Sequence, residues 1–400
     1  SDSNPGTQSA PFKTISKGSQ KMAGGDTLYV RAGTYTEQLL GIFKNGKEGA
    51  YTRIAAYPGE ERQVLVKPRD NSRGNFVVWF SRESAYIELS GMVFDAVNFG
   101  TKSNEGQVMK LDGSPAQNKY ARNIRIINNE LRNSPDSAFF GAGGGNEIIG
   151  NDIHHSLAYG IYTGSGPGSL IEGNRVHDNG GYGLHLYQLN HPVNGWVVRN
   201  NVFYGNGRDY TKSNGNRVKN PAVILTRGQN QFYNNIIYNN HAGISVNYGA
   251  SDMLVSNNTV YGNDEYGVNV GSSSRNAKII NNISWGNSGA QITDNGVGTV
   301  LQNNLTTDPK FVNPAAGDFG VQAGSPAIDK GMTLAQVPDD FTSKKRPEGA
   351  AYDIGAFEGD GSRANVLPGM GGGLPPGGGS FPSGPPILRG PNGEVCPSGY

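Results

Sequence analysis

Four hundred residues would fill two or three ordinary domains, yet a formal net charge of +1 excludes any global electrostatic pull toward nucleic acid or an anionic membrane. No apolar run approaches the roughly 20 residues of a membrane-spanning helix. A single cysteine, Cys396, excludes an internal disulfide framework, and 60 glycines fit a turn-dense β architecture.

Residues 1–25 are expected to lead into and cap the first coil of a repeating structure. Residues 26–30 read as the first strand, and Gly33-Thr34-Tyr35 turns out of it. Further strands are expected at 51–57, 63–66, 76–79, 86–91 and around Val108-Met109-Lys110-Leu111. From there a repeat takes over. Asn281-Asn282-Ile283-Ser284-Trp285-Gly286-Asn287 has relatives at Asn257-Asn258, Asn234-Asn235, Asn200-Asn201, Gly173-Asn174, Gly150-Asn151 and Asn128-Asn129, with a truncated copy at Asn303-Asn304. The second Asn falls at 129, 151, 174, 201, 235, 258, 282 and 304, in steps of 22, 23, 27, 34, 23, 24 and 22 residues. Such a period defines a solenoid.

Three places before each second Asn stands an apolar residue: Ile126, Ile148, Ile171, Val198, Phe232, Val255, Ile279, Leu301. Two places after it stands another: Leu131, Ile153, Val176, Phe203, Ile237, Val260, with Ser284 as the exception. The Asn therefore occupies a turn between two inward positions, where it tolerates a left-handed backbone, and stacked amides can bond from coil to coil. A second polar column lies five places on, at Ser134, Ser156, Asn179, Asn206, Asn240, Asn263 and Asn287. A third strand follows in most copies, as in Gly183-Leu184-His185-Leu186 and Gly243-Ile244-Ser245-Val246. The expectation is an all-β fold: a single-stranded parallel β-helix over residues 26–310, right-handed as crossovers between parallel strands are, with coils about 4.8 Å apart. Leucine-rich repeats have a similar period, but their Leu framework is missing.

Two adjacent coils are overlong. One holds residues 188–194; the other holds residues 207–219, with Arg208, Lys212, Arg217 and Lys219 against Asp209. Insertions in a solenoid become lateral loops that often line the binding face, and this basic loop suits an anionic ligand as well as plain solvation. Residues 311–358 read as a closing segment over the open end of the stack, where a bare sheet edge invites aggregation. Residues 359–400 are a Gly/Pro-rich tail that cannot bury a core.

Ala23-Gly24-Gly25-Asp26-Thr27-Leu28-Tyr29-Val30-Arg31-Ala32-Gly33-Thr34-Tyr35-Thr36-Glu37 resembles the entry strand of secreted pectate-lyase-like right-handed β-helix proteins. Gly324-Ser325-Pro326-Ala327-Ile328-Asp329-Lys330-Gly331, with Arg346-Pro347 and residues 353–358 (DIGAFE), is similar to the closing segment of bacterial surface and secreted members. The resemblance covers about residues 7–358. It implies an extracellular or cell-surface setting, with a signal peptide already removed. It leaves activity open, because the superfamily holds lyases, epimerases, glycosidases and non-catalytic surface proteins.

Two outward columns are candidate sites. Arg132, His154, His177, Tyr204, Tyr238, Tyr261 and Trp285 would stack into a strip with flat faces, suited to an extended sugar chain or simply to stabilising the stack. On the third strand, Phe140, Tyr162, His185, Ile224, Ser245 and Asn269 form the other column, with Tyr187 beside His185. Abstraction of the C5 proton of a uronic acid needs a base, an acid and a neutraliser of the carboxylate. His185, Tyr187, His191, Tyr210, Arg217 and Lys219 supply such groups, and His154, Tyr162, His177, Tyr204, Arg208, Lys212, Tyr238, Tyr261 and Trp285 are the candidate substrate contacts. A paired-carboxylate hydrolase set is missing. No metal site is expected; no cofactor is required, and calcium has no supporting motif.

The sequence supports two functional readings. In the first, a secreted or surface β-helix engages an extended, acidic extracellular polysaccharide as a lyase or epimerase. In the second, a non-catalytic subunit of an extracellular filament self-associates through the tail and Cys396.

Overall fold

The computed structural model describes residues 1–69, 76–99, 106–114, 117–164, 166, 168–187, 194–208, 210–211 and 215–359, together with the backbone of a strand pair at Leu388–Arg389 and Val395–Cys396. The expected tail contacts and the Cys396 thiol lie outside the described residues, as do His191 and Lys212.

Three parallel sheets run the length of the described repeat. Sheet 1 starts at Thr27–Val30 and ends at Val300–Gln302 with eleven strands; sheet 2 runs from Gly33–Thr36 to Ile283–Trp285 and sheet 3 from Leu39–Leu40 to Ile292–Asp294, with ten each. Each coil contributes one strand to each sheet, which is a parallel β-helix. The register follows the predicted columns. Ile126, Ile148, Ile171, Val198, Phe232, Val255, Ile279 and Leu301 pair in line along sheet 1. Leu131, Ile153, Val176, Phe203, Ile237, Val260 and Ser284 pair along sheet 2. Both columns point into one continuous core because side chains alternate across a strand.

The Asn pair divides its labour. The first position takes the left-handed backbone, at Asn128, Asn200, Asn234, Asn257, Asn281 and Asn303, with Gly150 and Gly173 in the two copies that lack Asn there. The second position makes the ladder. The Oδ1 of Asn258 accepts from the backbone N–H (2.9 Å) and Nδ2 (3.1 Å) of Asn235, and Asn282 serves Asn258 in the same way. The chain of amides is continuous from Asn129 to Asn304. A second ladder runs from Asn179 to Asn287, while Ser156 joins it only through its backbone N–H. Each buried amide contributes about 1 kcal/mol net, and an orphaned one costs about 1–3 kcal/mol.

At the N-terminal end the helix Ile15–Lys21 covers the first coil. Thr14 caps it, and Glu37 accepts from the N–H groups of Ile15 (2.8 Å) and Ser16 (3.0 Å). Gly18 is required by the close approach of Leu28, 2.7 Å from where a Cβ would sit.

The C-terminal segment differs from expectation. It runs back along the side of the rod rather than across its end. Asn303 donates to Lys330 O, Asn281 to Met332 O, Asn257 to Asp353 O and Asn234 to Asp339 O. Val337 reaches Leu170, Val197 and Tyr233. The cause is an apolar stripe on the outer face of sheet 2: Val202, Ile236 and Ile283 pack under Phe311, Phe319, Ile354 and Phe357. Burying each such side chain is worth about 1.5–3 kcal/mol. Among the described residues nothing covers the end of the stack, with Leu301 46% and Val300 38% exposed. Arg346, fully buried, fastens the segment: it pairs with Glu358 and donates to Asn234 Oδ1 (3.2 Å) and Gly355 O (3.0 Å).

Candidate functional site on the face of sheet 3

The outward column of sheet 3 reads Trp79, Lys110, Phe140, Tyr162, His185, Ile224, each in register with the next. Lys110 Nζ sits 3.6 Å over the Phe140 ring. Tyr162 meets Phe140 edge-on at 5.0 Å and stacks on His185 at 4.8 Å, 11° from coplanar. Tyr187 and Tyr182 each lie 4.8 Å from His185, and Tyr159 packs against Tyr162, Tyr182 and His185.

The longer insertion completes this cluster. Its hairpin pairs Tyr210–Thr211 with Arg217–Val218. The base is tight, because Gly207 has φ +82° and a Cβ there would meet Asn220 O at 1.9 Å. Tyr210 packs on Tyr159 at 5.4 Å. Of the expected catalytic set, His185, Tyr187 and Tyr210 therefore share one aromatic cluster, which also holds Tyr162. Arg217 and Lys219 are exposed on the hairpin's returning side. Lys219 lies near enough to His241 to act on its charge, and Arg208 pairs with Asp264 at 3.1 Å. The predicted anion-binding loop thus has its first arginine already answered by a carboxylate.

Burial sets the chemistry of the strip. It lowers Lys110 to about 8, against the opposing pull of Asp112 and Asp136. Burial likewise holds Asp136 above its ordinary value, although Gln107 donates to it at 3.0 Å. His185 is lowered to about 3 by burial, and neither ring nitrogen has a hydrogen-bond partner among the described residues. Tyr162 is raised to about 12 by burial and then by Tyr187, and Tyr159 and Tyr182 move in the same direction. At neutral pH the strip offers an amine near its titration point, an unprotonated imidazole and several intact phenols. Unpaired buried polar groups and displaced pKa values mark functional sites. Among the described residues, no group of three His, Cys, Asp or Glu side chains close enough to share a metal lies on this strip.

Sequence reasoning misses Lys110, Tyr159 and Tyr182. Lys110 stands one step from Met109 in an expected strand, and only the register with Phe140 places it in the column. Tyr159 and Tyr182 each precede a Gly in successive coils, in Tyr159-Gly160-Ile161 and Tyr182-Gly183-Leu184, a repetition that is the signal for them.

The sheet 2 column has a different fate. His154, His177, Tyr204 and Tyr238 do stack, at 4.9, 4.6 and 5.3 Å. Tyr238 is only 3% exposed, however, because Phe319 packs on it at 5.0 Å. Phe311 and Phe319 cover Tyr261, and Trp285 joins the same cluster. Tyr238 is therefore a packing residue beneath the C-terminal segment and not an open sugar contact, while Tyr261 and Trp285 are half-buried at the segment's edge. The reason is the apolar stripe beside them, which the segment buries. Tyr204 lies at the margin of that cover, and His154 and His177 lie beyond it inside a charged network. Arg132 bonds Asp95 (2.8 Å) and Glu130 (2.6 Å), and Arg175 donates to Tyr204 Oη (3.0 Å).

A rod of three parallel sheets carrying Asn ladders and a lateral aromatic strip defines the class of β-helix solenoids. Residues 78–223 and 213–325 match the family described as "Right handed beta helix region", and the chain belongs to that family. No curated protein matches at the sequence level. Among solved structures, the chain is similar to pectate lyase Pel9A, with 17% identity over 88% of this chain and 92% of that one and a TM-score of 0.66. It is also similar to the A-module of the Azotobacter vinelandii mannuronan C-5 epimerase AlgE6 (19% identity, 71% and 80% covered, TM-score 0.53). A rhamnogalacturonan lyase aligns at 17% identity over 78% and 88%, with a TM-score of 0.51. The fold is thus pectate-lyase-like and right-handed.

Proposed function

We propose that the strip on sheet 3 holds an extended acidic polysaccharide along the rod and abstracts the C5 proton of a uronic acid unit, as a lyase or an epimerase. One observation carries this reading: Lys110, lowered to about 8, stands in line with Phe140, Tyr162 and His185 on one lateral face. A base works best with a pKa near the operating pH. Lys110 meets that condition, whereas His185 would have to be protonated far above its own value of about 3. The neutral Nζ of Lys110 takes the C5 proton. In a lyase the C5–H electron pair becomes the C4=C5 double bond, the C4–O bond breaks, and a phenol, Tyr162 or Tyr187, gives its proton to the leaving oxygen. In an epimerase Lys110 keeps that proton, and a phenol on the other side of the sugar ring, Tyr162 or Tyr187, gives its own proton to the opposite face of C5. His185 stays neutral and, with its ring nitrogens buried, serves as a flat stacking partner of Tyr162 beneath the sugar chain. Proteins of the same fold named as acting on pectate and mannuronan support an acidic polymer as the substrate class. A secreted or surface location belongs to this reading, since such polymers are extracellular.

The test is direct. The purified chain is incubated with pectate, alginate and a neutral glucan, with and without calcium. Unsaturated-uronate absorbance is followed, and C5 inversion is read by NMR. Turnover of an acidic polymer that Lys110→Met abolishes supports the proposal. No turnover and no binding of any acidic polymer would sink it.

One observation favours the structural reading. Leu301, Val300 and Val297 leave an apolar, unpaired sheet end open to solvent, a template for end-to-end stacking. Electron microscopy of the chain, whole and cut after Glu358, separates the two. Filaments lost on truncation favour an assembly subunit, and single rods in both samples remove it.

A further inference from the structure

Asp152 and His154 project from one strand of sheet 2, two residues apart and so on the same face, and His154 lies opposite His177 in the next coil. One ligand atom from each of the three residues falls within 4.8 Å of the others. We propose that Asp152, His154 and His177 bind a divalent d-block cation of the zinc, nickel or copper class.

The hydrogen bonds around the imidazoles point the same way. His177 Nδ1 lies 2.8 Å from Asp178 Oδ2, and His154 Nδ1 lies 2.6 Å from His155 Nδ1. The second contact requires one ring to donate and the other to accept. With His155 as the acceptor, the proton of this contact sits on His154 Nδ1. Each Nδ1 proton then faces outward, as in metal-binding histidines whose other nitrogen is held by a carboxylate or carbonyl. The two Nε2 atoms remain as ligands. His177 Nε2 stands 2.9 Å from Asp152 Oδ1, and His154 Nε2 stands 3.3 Å from Glu130 Oε1. Without a metal a proton must fill each of these contacts. A divalent cation replaces those protons and brings the carboxylates into its own shell. Tetrahedral coordination spaces its ligand atoms by about 3.3 Å, so the cluster needs side-chain rotation but no movement of the sheet.

The surroundings permit entry and balance charge. His155 is exposed and the Asp178 side chain is 49% exposed, so one flank is open, while Tyr204 closes the other. Four carboxylates, Asp95, Glu130, Asp152 and Asp178, meet three guanidiniums, Arg62, Arg132 and Arg175. Two imidazoles select against calcium and magnesium, which take oxygen ligands. Such a cation would tie two coils of sheet 2 together where the C-terminal cover ends. It is independent of the chemistry on sheet 3.

The experiment uses the full chain without an affinity tag, stripped with chelator, and titrated calorimetrically with Zn²⁺ and Ni²⁺. Visible absorption of the Co²⁺ form reads the ligand set. One cation per chain is expected, undisturbed by excess Ca²⁺ or Mg²⁺, and lost in the folded H154Q/H177Q double variant. Asp178→Asn and His155→Gln touch no metal and are expected to weaken binding about tenfold or more. No binding by the folded wild type overturns the proposal, as does full binding in the double variant. If that variant does not fold, unchanged affinity in both Asp178→Asn and His155→Gln overturns it.

Discussion

Two columns of stacked rings run along this rod, one on sheet 2 and one on sheet 3, and in sequence they look alike. Both step from coil to coil in register, and both mix His with Tyr. On sheet 2 Tyr238 is buried under Phe319, and Tyr261 and Trp285 are half-buried against the same cluster. On sheet 3 Tyr162, His185 and Tyr187 are half-buried, and among the described residues Tyr210 of the hairpin packs on the neighbouring Tyr159. The neighbouring column decides the difference. Beside the sheet 2 rings the outward residues change from Glu130, Asp152 and Arg175 to Val202, Ile236 and Ile283, and the apolar set attracts a cover. The apolar flank thus explains why the C-terminal segment docks on sheet 2 and not on sheet 3.

The largest effect that would sharpen this contrast lies on sheet 3. Lys110→Met should lower turnover of an acidic polysaccharide by about 10²–10⁴-fold, the usual worth of a positioned base, while circular dichroism stays unchanged. Next comes the clasp of the cover. Arg346→Met strands the buried Glu358 carboxylate and should cost about 3–5 kcal/mol in urea unfolding. Hydrogen exchange in residues 202–204 and 236–238 should rise with it. Slightly smaller is an exchange of roles between the columns. Tyr238→Ala should cost about 3 kcal/mol and leave polysaccharide affinity intact, whereas Tyr162→Ala should weaken affinity with little loss of stability. The reverse pattern in gel-retardation and unfolding assays would break the comparison. Asn258→Ala removes one rung of the ladder and orphans the N–H of Asn235, at about 1–3 kcal/mol. The smallest effect is a pH profile. Only the neutral Lys110 amine accepts a proton, so turnover should climb about tenfold per pH unit below pH 8 and level off above it. A flat profile across that range would remove Lys110 as the base.

Much of the site is legible in the sequence. Coil order alone places His185, Tyr187, His191, Tyr210, Arg217 and Lys219 in one neighbourhood; His185, Tyr187 and Tyr210 join one aromatic cluster, Arg217 and Lys219 stand exposed on the hairpin, and His191 lies outside the described residues. Lys110 escapes because the coils before the regular repeat are uneven, and a slip of one residue turns a side chain to the other face. The direction of residues 311–358 escapes for another reason. The Gly-Ser-Pro-Ala-Ile-Asp and Arg-Pro motifs mark a terminal segment, but not the surface that receives it. The buried bond of Arg346 to Asn234 spans 112 residues, and no local pattern encodes that partner.

The sequence alone determined the period, the two inward columns, the Asn ladders and hence the stack of three sheets. These rest on short-range physics: alternation along a strand, a left-handed turn position and amides that need partners at every coil. Tertiary structure alone decided which outer face is covered, which lysine enters the aromatic strip, and which imidazole nitrogens point inward at Asp152 and Glu130. Those outcomes depend on how surfaces distant in the chain meet and on how far burial excludes water from a charge.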